Sequence, residues 1–192
     1  MEASDLAVVA RVRAGDHDAF RFLVERHSRS VFRLAFRLSG HEQDAEDIVQ
    51  ETFLKAFRQI AGFESRSSFA TWLYRITVNC SQDLLRQRPG AGSRQSLDDP
   101  DAAASLELAD TSAAANPLRE LASRRIDERV QAAMDGLSDQ ERSAFVMRHF
   151  EGLSIDEIGR VLDLKTSAAK HSVFRAVQKL RRSLGPVAEL EP

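Results

Sequence analysis

Six basic side chains (Lys165, Lys170, Arg175, Lys179, Arg181 and Arg182) fall within residues 165–182, with no acid among them. At 100° per residue, Ala169, Val173, Ala176, Val177, Leu180 and Leu184 share one arc of about 100°. Ser167, His171, Ser172, Arg175, Gln178, Lys179 and Arg182 take the opposite arc. The first arc is core. The second carries the cations and hydrogen-bonding groups that duplex phosphates and major-groove base edges require. Lys170 lies at the edge of the apolar arc, near the helix start, placed to reach a phosphate. A solvated basic face on an ordinary helix bundle has the same composition, so the face alone does not decide.

A second constellation is acidic. Five acids occur in residues 42–51. Acids at a helix start suit the macrodipole, each worth ~0.3–1 kcal/mol. That does not explain the whole face. Asp44, Asp47, Glu51 and Leu54 share one side, and Val49, Phe53, Ala56, Phe57 and Ile60 share the other, which is the predicted core. A leucine beside three acids suits a protein-docking surface. A divalent cation site at Asp44, Glu46 and Asp47 is disfavoured, because no complementary ligands or loop glycine accompany them.

The third constellation is aromatic and cationic. Phe69, Trp72, Tyr74, Arg75, Asn79, Arg86 and Arg88 belong to one predicted helix, with Phe63 just before it. Rings stack on unpaired bases, at ~1–3 kcal/mol each, while guanidinium groups meet phosphates. The competing reading is a core built from Phe69, Trp72, Leu73 and Ile76. For some of these rings that must hold, and Trp72 is open to both readings.

These groups require helices to position them. Gly15-Asp16 breaks a short leading helix, and Asp16 can cap the next. Phe20, Leu23, Val24, Val31, Leu34, Ala35 and Leu38 recur at helical spacing up to Gly40. The acidic helix runs from about Glu42 to Ile60 and stops at Gly62. The aromatic helix starts at Ser67 or Ser68 and runs to Arg88. Four more helices follow residue 118. Arg119–Met134 ends at Gly136. Ser138 with Glu141, then Ser154 with Glu157, form two capping boxes opening helices that end near Phe150 and Leu162. Thr166 or Ser167 opens the last, which ends at Gly185-Pro186. A short helix, the turn Asp163-Leu164-Lys165 and a longer basic helix follow the helix-turn-helix plan. No alternating stretch long enough for a strand appears. The predicted fold class is all-α.

Composition sets the domain plan. The 192 residues carry a net charge of -2, which by itself argues against nucleic acid, but the distribution is uneven. Residues 1–88 hold 13 basic and 12 acidic side chains, residues 89–118 hold 1 and 5, and residues 119–192 hold 13 and 12. The middle segment is rich in Ala, Ser, Asp, Gly and Pro and has no aromatic, so it cannot bury much surface and reads as a flexible acidic linker. The expected division is a domain at 1–90, a linker at 91–118, a second domain at 119–185 and a tail at 186–192. No run of about 18 apolar residues exists, and Met1–Ala10 lacks a basic region typical of a secretory signal. The single cysteine, Cys80, excludes a disulfide framework or a multi-cysteine zinc site. No cofactor or metal is expected, and a cytoplasmic location is the default.

The run Asp44-Ala45-Glu46-Asp47-Ile48-Val49-Gln50-Glu51-Thr52-Phe53, followed by Phe69-Ala70-Thr71-Trp72-Leu73-Tyr74-Arg75-Ile76-Thr77-Val78-Asn79, closely resembles the second conserved region of bacterial sigma factors. Leu137-Ser138-Asp139-Gln140-Glu141-Arg142 and Glu151-Gly152-Leu153-Ser154-Ile155-Asp156-Glu157-Ile158 resemble their fourth region. Length and the two-domain plan match the extracytoplasmic function (ECF) group of the sigma-70 family. The resemblance implies a specificity subunit for RNA polymerase that assists promoter opening. It implies docking on the β′ coiled coil through Asp44, Asp47, Gln50, Glu51 and Leu54, with the second domain on the β flap. Minus-ten DNA would meet Phe63, Arg66, Ser68, Trp72, Arg75 and Asn79, and a base flipped out of the duplex would be held there. Minus-thirty-five DNA would meet Ser167, Lys170, His171, Ser172, Phe174, Arg175 and Lys179. The implied partners are core RNA polymerase, promoter DNA and an anti-sigma factor, with no small-molecule substrate.

The recognition helix departs from the family pattern. Many members open it Gly-Thr-Val-Lys-Ser-Arg; here it opens Ser167-Ala168-Ala169-Lys170-His171-Ser172. Ser172 replaces the arginine and Ala168 the threonine. One bidentate base contact, worth ~1–3 kcal/mol of discrimination, is thus expected to be missing, and His171 is the candidate to contact a base or phosphate.

Two other classes compete. A stand-alone helix-turn-helix regulator accounts for the basic helix but not for the acidic or aromatic ones, and no heptad seam for a dimer is present. An enzyme is disfavoured: the five histidines (17, 27, 41, 149, 171) are scattered, no glycine-rich phosphate loop exists, and Cys80 has no sequence-evident partner. Cys80 reads as buried and inert, with oxidation sensing unsupported.

Overall fold

The computed structural model describes residues 4–87, 129–130 and 132–185. Among these residues every regular element is helical. Helix α1 spans Asp5–Arg13, a 3-10 turn covers His17–Ala19, and α2 spans Phe20–Ser39. Helix α3 spans Glu42–Gln59, a second 3-10 turn covers Ile60–Gly62, and α4 spans Phe69–Gln87. Residues 132–135 are helical and lead into α5 (Asp139–His149), α6 (Ile155–Leu162) and α7 (Thr166–Leu184). The predicted linker at 91–118, most of the predicted helix Arg119–Met134, the predicted contact Arg88 and the tail lie outside the described residues.

Local chemistry sets these boundaries. The Asp16 carboxylate accepts from the Ala19 amide at 3.2 Å, opening the turn that leads into α2. Gly40 ends α2 in the left-handed conformation, at φ 78°, where a side chain would be strained. The Ser68 hydroxyl accepts from the Thr71 amide at 3.0 Å, which fixes the start of α4 at the second of the two predicted serines. Both capping boxes form. The Ser138 hydroxyl accepts from the Glu141 amide (3.2 Å), and the Glu141 carboxylate accepts from the Ser138 amide (3.0 Å). Ser154 and Glu157 repeat the exchange at 3.2 and 2.8 Å. Each such cap is worth about 1 kcal/mol.

Two cores result. Helices α1–α4 bury Val8, Leu23, Val31, Ile48, Phe53, Phe63, Phe69 and Leu73 together. Phe57 departs from its predicted core place: it packs edge-on against Phe20 and His17 yet is 38% exposed. The second core gathers Leu137, Ala144, Val146, Met147, Leu153, Ile158 and Leu180 from the C-terminal helices, together with Leu34, Leu38, Tyr74 and Val78 from α2 and α4. The two halves therefore share apolar packing. Burying Leu34 and Leu38 in it contributes about 1.5–3 kcal/mol each.

Polar contacts join the halves as well. Arg142 on α5 is buried, and its Nη1 donates to the Leu38 carbonyl at 3.2 Å while Nη2 holds the Met134 carbonyl and the Asp135 carboxylate. Just beyond α5, the Glu151 carboxylate accepts from Arg37 Nη1 (3.2 Å) and from the Tyr74 hydroxyl (3.1 Å). The Arg37 guanidinium also lies 4.4 Å from the centroid of the Phe150 ring.

Candidate nucleic-acid interface

The turn between α6 and α7 is tight. Asp163 caps α6 at φ 55°, and the Leu164 amide donates to the Gly159 carbonyl at 2.8 Å. A Cβ at Gly159 would stand 2.9 Å from the Leu164 carbonyl oxygen, so only glycine lets the backbone approach this closely. The Thr166 hydroxyl donates to Asp156 Oδ1 at 2.8 Å and ties the start of α7 back to α6. Helix α7 then buries Ala169, Ala176 and Leu180. Ser167, Lys170, His171, Phe174 and Arg175 are exposed at i, i+3, i+4, i+7 and i+8, one continuous face. Phe174 is 61% exposed, and with Ala168, His171 and Arg175 it lines a shallow depression.

Two of the predicted minus-thirty-five residues behave otherwise. Ser172 is fully buried: Gln140 Nε2 donates to its hydroxyl at 2.7 Å, and the hydroxyl donates to the Ala168 carbonyl at 3.0 Å. It ties α7 to α5 rather than facing outward. Lys179 Nζ is 2.6 Å from Glu141 Oε2, and Arg175 Nε is 3.6 Å from Oε1 of the same carboxylate. Burial pushes the Glu141 carboxyl up, but the Lys179 ammonium and the Ser138 amide and hydroxyl pull harder, leaving it below its ordinary value. A capping carboxylate thus orients two cations of the basic face. The residue spacing shows Glu141 as a cap; nothing in it marks this second role.

The aromatic constellation divides likewise. Phe63 is 2% exposed and packs against Phe69 and Trp72, with centroids 5.6 and 5.3 Å away, so it supports the loop rather than presenting a ring. Trp72 is half-buried. Arg75 and Asn79 are exposed on the same stripe of α4, three and seven residues on. Arg66 is exposed and pairs with Glu64 at 2.7 Å. Ser68 is exposed at the loop's end, but its hydroxyl is engaged with Thr71. Between Glu64 and Arg66, Ser65 adopts φ 56°, an unusual conformation for a residue with a side chain.

The acidic face of α3 is presented outward. Asp47 and Gln50 are exposed, Asp44 and Glu51 half-buried, and Leu54 is 44% exposed beside them. Lys55 lies 3.5 Å from Glu51 and 3.6 Å from Asp83. Among the described residues no group of three or more His, Cys, Asp or Glu is placed to hold a metal ion, and no helix is long and apolar enough to cross a membrane.

An all-α fold with a basic helix-turn-helix and an exposed acidic, leucine-bearing helix is the arrangement of a promoter-directing subunit of RNA polymerase, and the comparisons with known proteins agree. Residues 23–89 match the family model of sigma-70 region 2, and residues 127–180 match that of sigma-70 region 4. The chain is 31% identical over 191 residues to the ECF RNA polymerase sigma-E factor of Haemophilus influenzae, covering 97% of this chain and 98% of that one. It is 36% identical over 159 residues to the ECF RNA polymerase sigma factor SigE of Mycolicibacterium smegmatis; the match covers 83% of this chain but 59% of that longer relative. Among solved structures it is similar to CnrH in complex with the cytosolic domain of CnrY, at 26% identity and a TM-score of 0.66, covering 92% of this chain and 94% of that one. The chain belongs to the sigma-70 family, in its extracytoplasmic function group. That family is not a class of catalysts.

Proposed function

We propose that this chain docks on the β′ coiled coil of core polymerase through the α3 face of Asp44, Asp47, Gln50, Glu51 and Leu54. The Phe63–Ser68 loop with Trp72, Arg75 and Asn79 takes the minus-ten element, and the α7 face of Lys170, His171, Phe174 and Arg175 takes the minus-thirty-five element. The working division is a first domain at 1–90 and a second at 119–185, the second seated on the β flap. The chain acts in the cytoplasm, without catalysis of its own, and an anti-sigma protein holds it until released; CnrH, a structural relative, is seen with the cytosolic domain of CnrY.

The observation that carries this reading is the pairing of two unlike exposed faces on one chain, acidic with leucine on α3 and basic with phenylalanine on α7. An operator-binding regulator needs only the second. The shared core adds a condition. Elements about 25 base pairs apart lie roughly 85 Å apart along B-DNA at about 3.4 Å per step, and two domains packed through Leu34, Leu38, Tyr74 and Val78 cannot span that. The halves separate when the chain engages polymerase and promoter.

The test is binding to purified bacterial core polymerase, comparing the chain with its Asp47→Arg, Glu51→Arg form. Tight binding that the charge reversal abolishes supports the docking face. Failure of the unmodified chain to bind, with DNA binding intact, would mean a stand-alone regulator.

A further inference from the structure

Helix α1 lies before residue 23, where the region 2 match begins. It packs Val8, Val9 and Val12 into the first core; its C-terminal end touches the backbone leading into Phe63–Ser68, and its N-terminal end reaches the start of α4 through His27. At its C-terminal end, Arg13 Nε donates to the Ile60 carbonyl at 3.0 Å, and Nη2 donates to the Ala61 carbonyl at 2.9 Å and to the Phe63 carbonyl. One guanidinium thus holds three backbone oxygens at the loop's entrance. At its N-terminal end, Asp5 accepts from Arg26, and its Oδ2 lies 3.0 Å from Nε2 of the buried His27. The His27 ring packs against Phe69, the first residue of α4, with centroids 5.4 Å apart. The entrance of the loop is held from α1 directly and its exit through His27, while Ser65 at its middle keeps an unfavourable backbone conformation.

We infer that α1 is a brace that keeps the Phe63–Ser68 loop in the shape needed to receive an unstacked base, with Arg13 as its positioning residue. The inference rests on the minus-ten role proposed above. Arg13 has no need to touch DNA: it sets where the Phe63 peptide lies, and Phe63 in turn supports the Trp72 ring. The guanidinium reaches these carbonyls from two separate nitrogens, Nε and Nη2; a lysine ammonium has three donors but at a single point, and cannot match that spread.

The experiment compares the full chain with its Arg13→Ala, Arg13→Lys and Arg11→Ala forms, each bound to core polymerase. Arg11, on the same helix, pairs with Asp16 away from the loop and serves as the control. The DNA is a promoter fragment recovered by the unmodified holoenzyme from a randomised library. Opening is read by permanganate reactivity of unpaired thymines. Acrylamide quenching of Trp72, the sole tryptophan, reads the loop in the free chain. Both Arg13 forms should lose opening by roughly tenfold, the scale of charge-assisted hydrogen bonds removed together. Their polymerase affinity and duplex retention should match the parent, and their Trp72 should quench more readily. Arg11→Ala should behave as the parent in every readout. Parent-level opening by the Arg13 forms overturns the brace, as does rescue by lysine or a parallel loss of polymerase binding. If the unmodified chain neither binds polymerase nor opens DNA, the minus-ten reading itself fails.

Discussion

The Tyr74 hydroxyl on α4 donates to Glu151 at the foot of α6, across 77 residues of sequence. The Glu151 side chain is 4% exposed, and its other oxygen is held by Arg37. Burial, first, and the neighbouring carboxylate both push the Tyr74 phenol above its ordinary value, against a hydrogen bond from Ser30. This phenol therefore remains a donor throughout the neutral range. Glu151→Ala leaves Tyr74 and Arg37 without their acceptor and should weaken the packing of the halves by about 1–3 kcal/mol. Small-angle scattering of the free chain should then show a larger radius of gyration. An unchanged radius would mean that the apolar contacts suffice alone.

Glu141 predicts a pH response. Its folded-state carboxyl lies below its ordinary value, so it stabilises the fold above the unfolded value of about 4.3, and that stabilisation is lost as pH falls through the folded value. Denaturant melts of the parent and Glu141→Gln should differ at pH 7 and converge as the pH falls from the unfolded value of about 4.3 through the folded one. A gap that does not depend on pH would show that the carboxylate charge contributes nothing.

The exposed face of α7 should separate two kinds of contact. Lys170→Ala should weaken promoter binding on every sequence and lower the salt dependence of log affinity by about 0.9. His171→Ala should weaken promoter binding as well; unchanged affinity at moderate salt would exclude it from the interface. Phe174→Ala should leave the salt slope alone and relax preference at one base pair, as expected of a ring against a thymine methyl. Equal effects on specific and random duplex would remove Phe174 from base readout.

Cys80 should resist alkylation. It is buried, and desolvation raises its thiol above the ordinary value despite Lys55 and Thr52 beside it. Mass spectrometry after brief iodoacetamide treatment should show modification only in denaturant. Rapid labelling of the folded chain would reopen a redox role.

Much of this was legible in the residues. The two Ser-x-x-Glu boxes, the turn at Asp163 and the helix ends at Gly40 and Gly185 follow from local rules, because caps and turns involve neighbours three or four positions apart. The α3 and α7 faces were legible for the same reason, since helical periodicity alone assigns them. Contacts between elements were not. Ser172 falls on the polar arc of α7, and only the arrival of Gln140 from α5 turns it inward. Phe63 and Trp72 carry the same chemistry on paper and pack equally near Phe69, yet only Phe63 is enclosed by the fold around it. Arg13 is one arginine among 23 until the chain brings residues 60–63 beside it. The joint between the halves depends on separations above 70 residues, which no periodicity encodes.

The shared core also limits how this chain can be dissected. Leu34, Leu38, Tyr74 and Val78 form a greasy strip on α2 and α4 that the C-terminal helices cover. A fragment cut within residues 91–118 would bare that strip to solvent. Expressed alone, the first domain should self-associate or precipitate, and trimming those four positions to polar residues should restore its solubility. A protease that nicks the chain there would leave two pieces still clasped together.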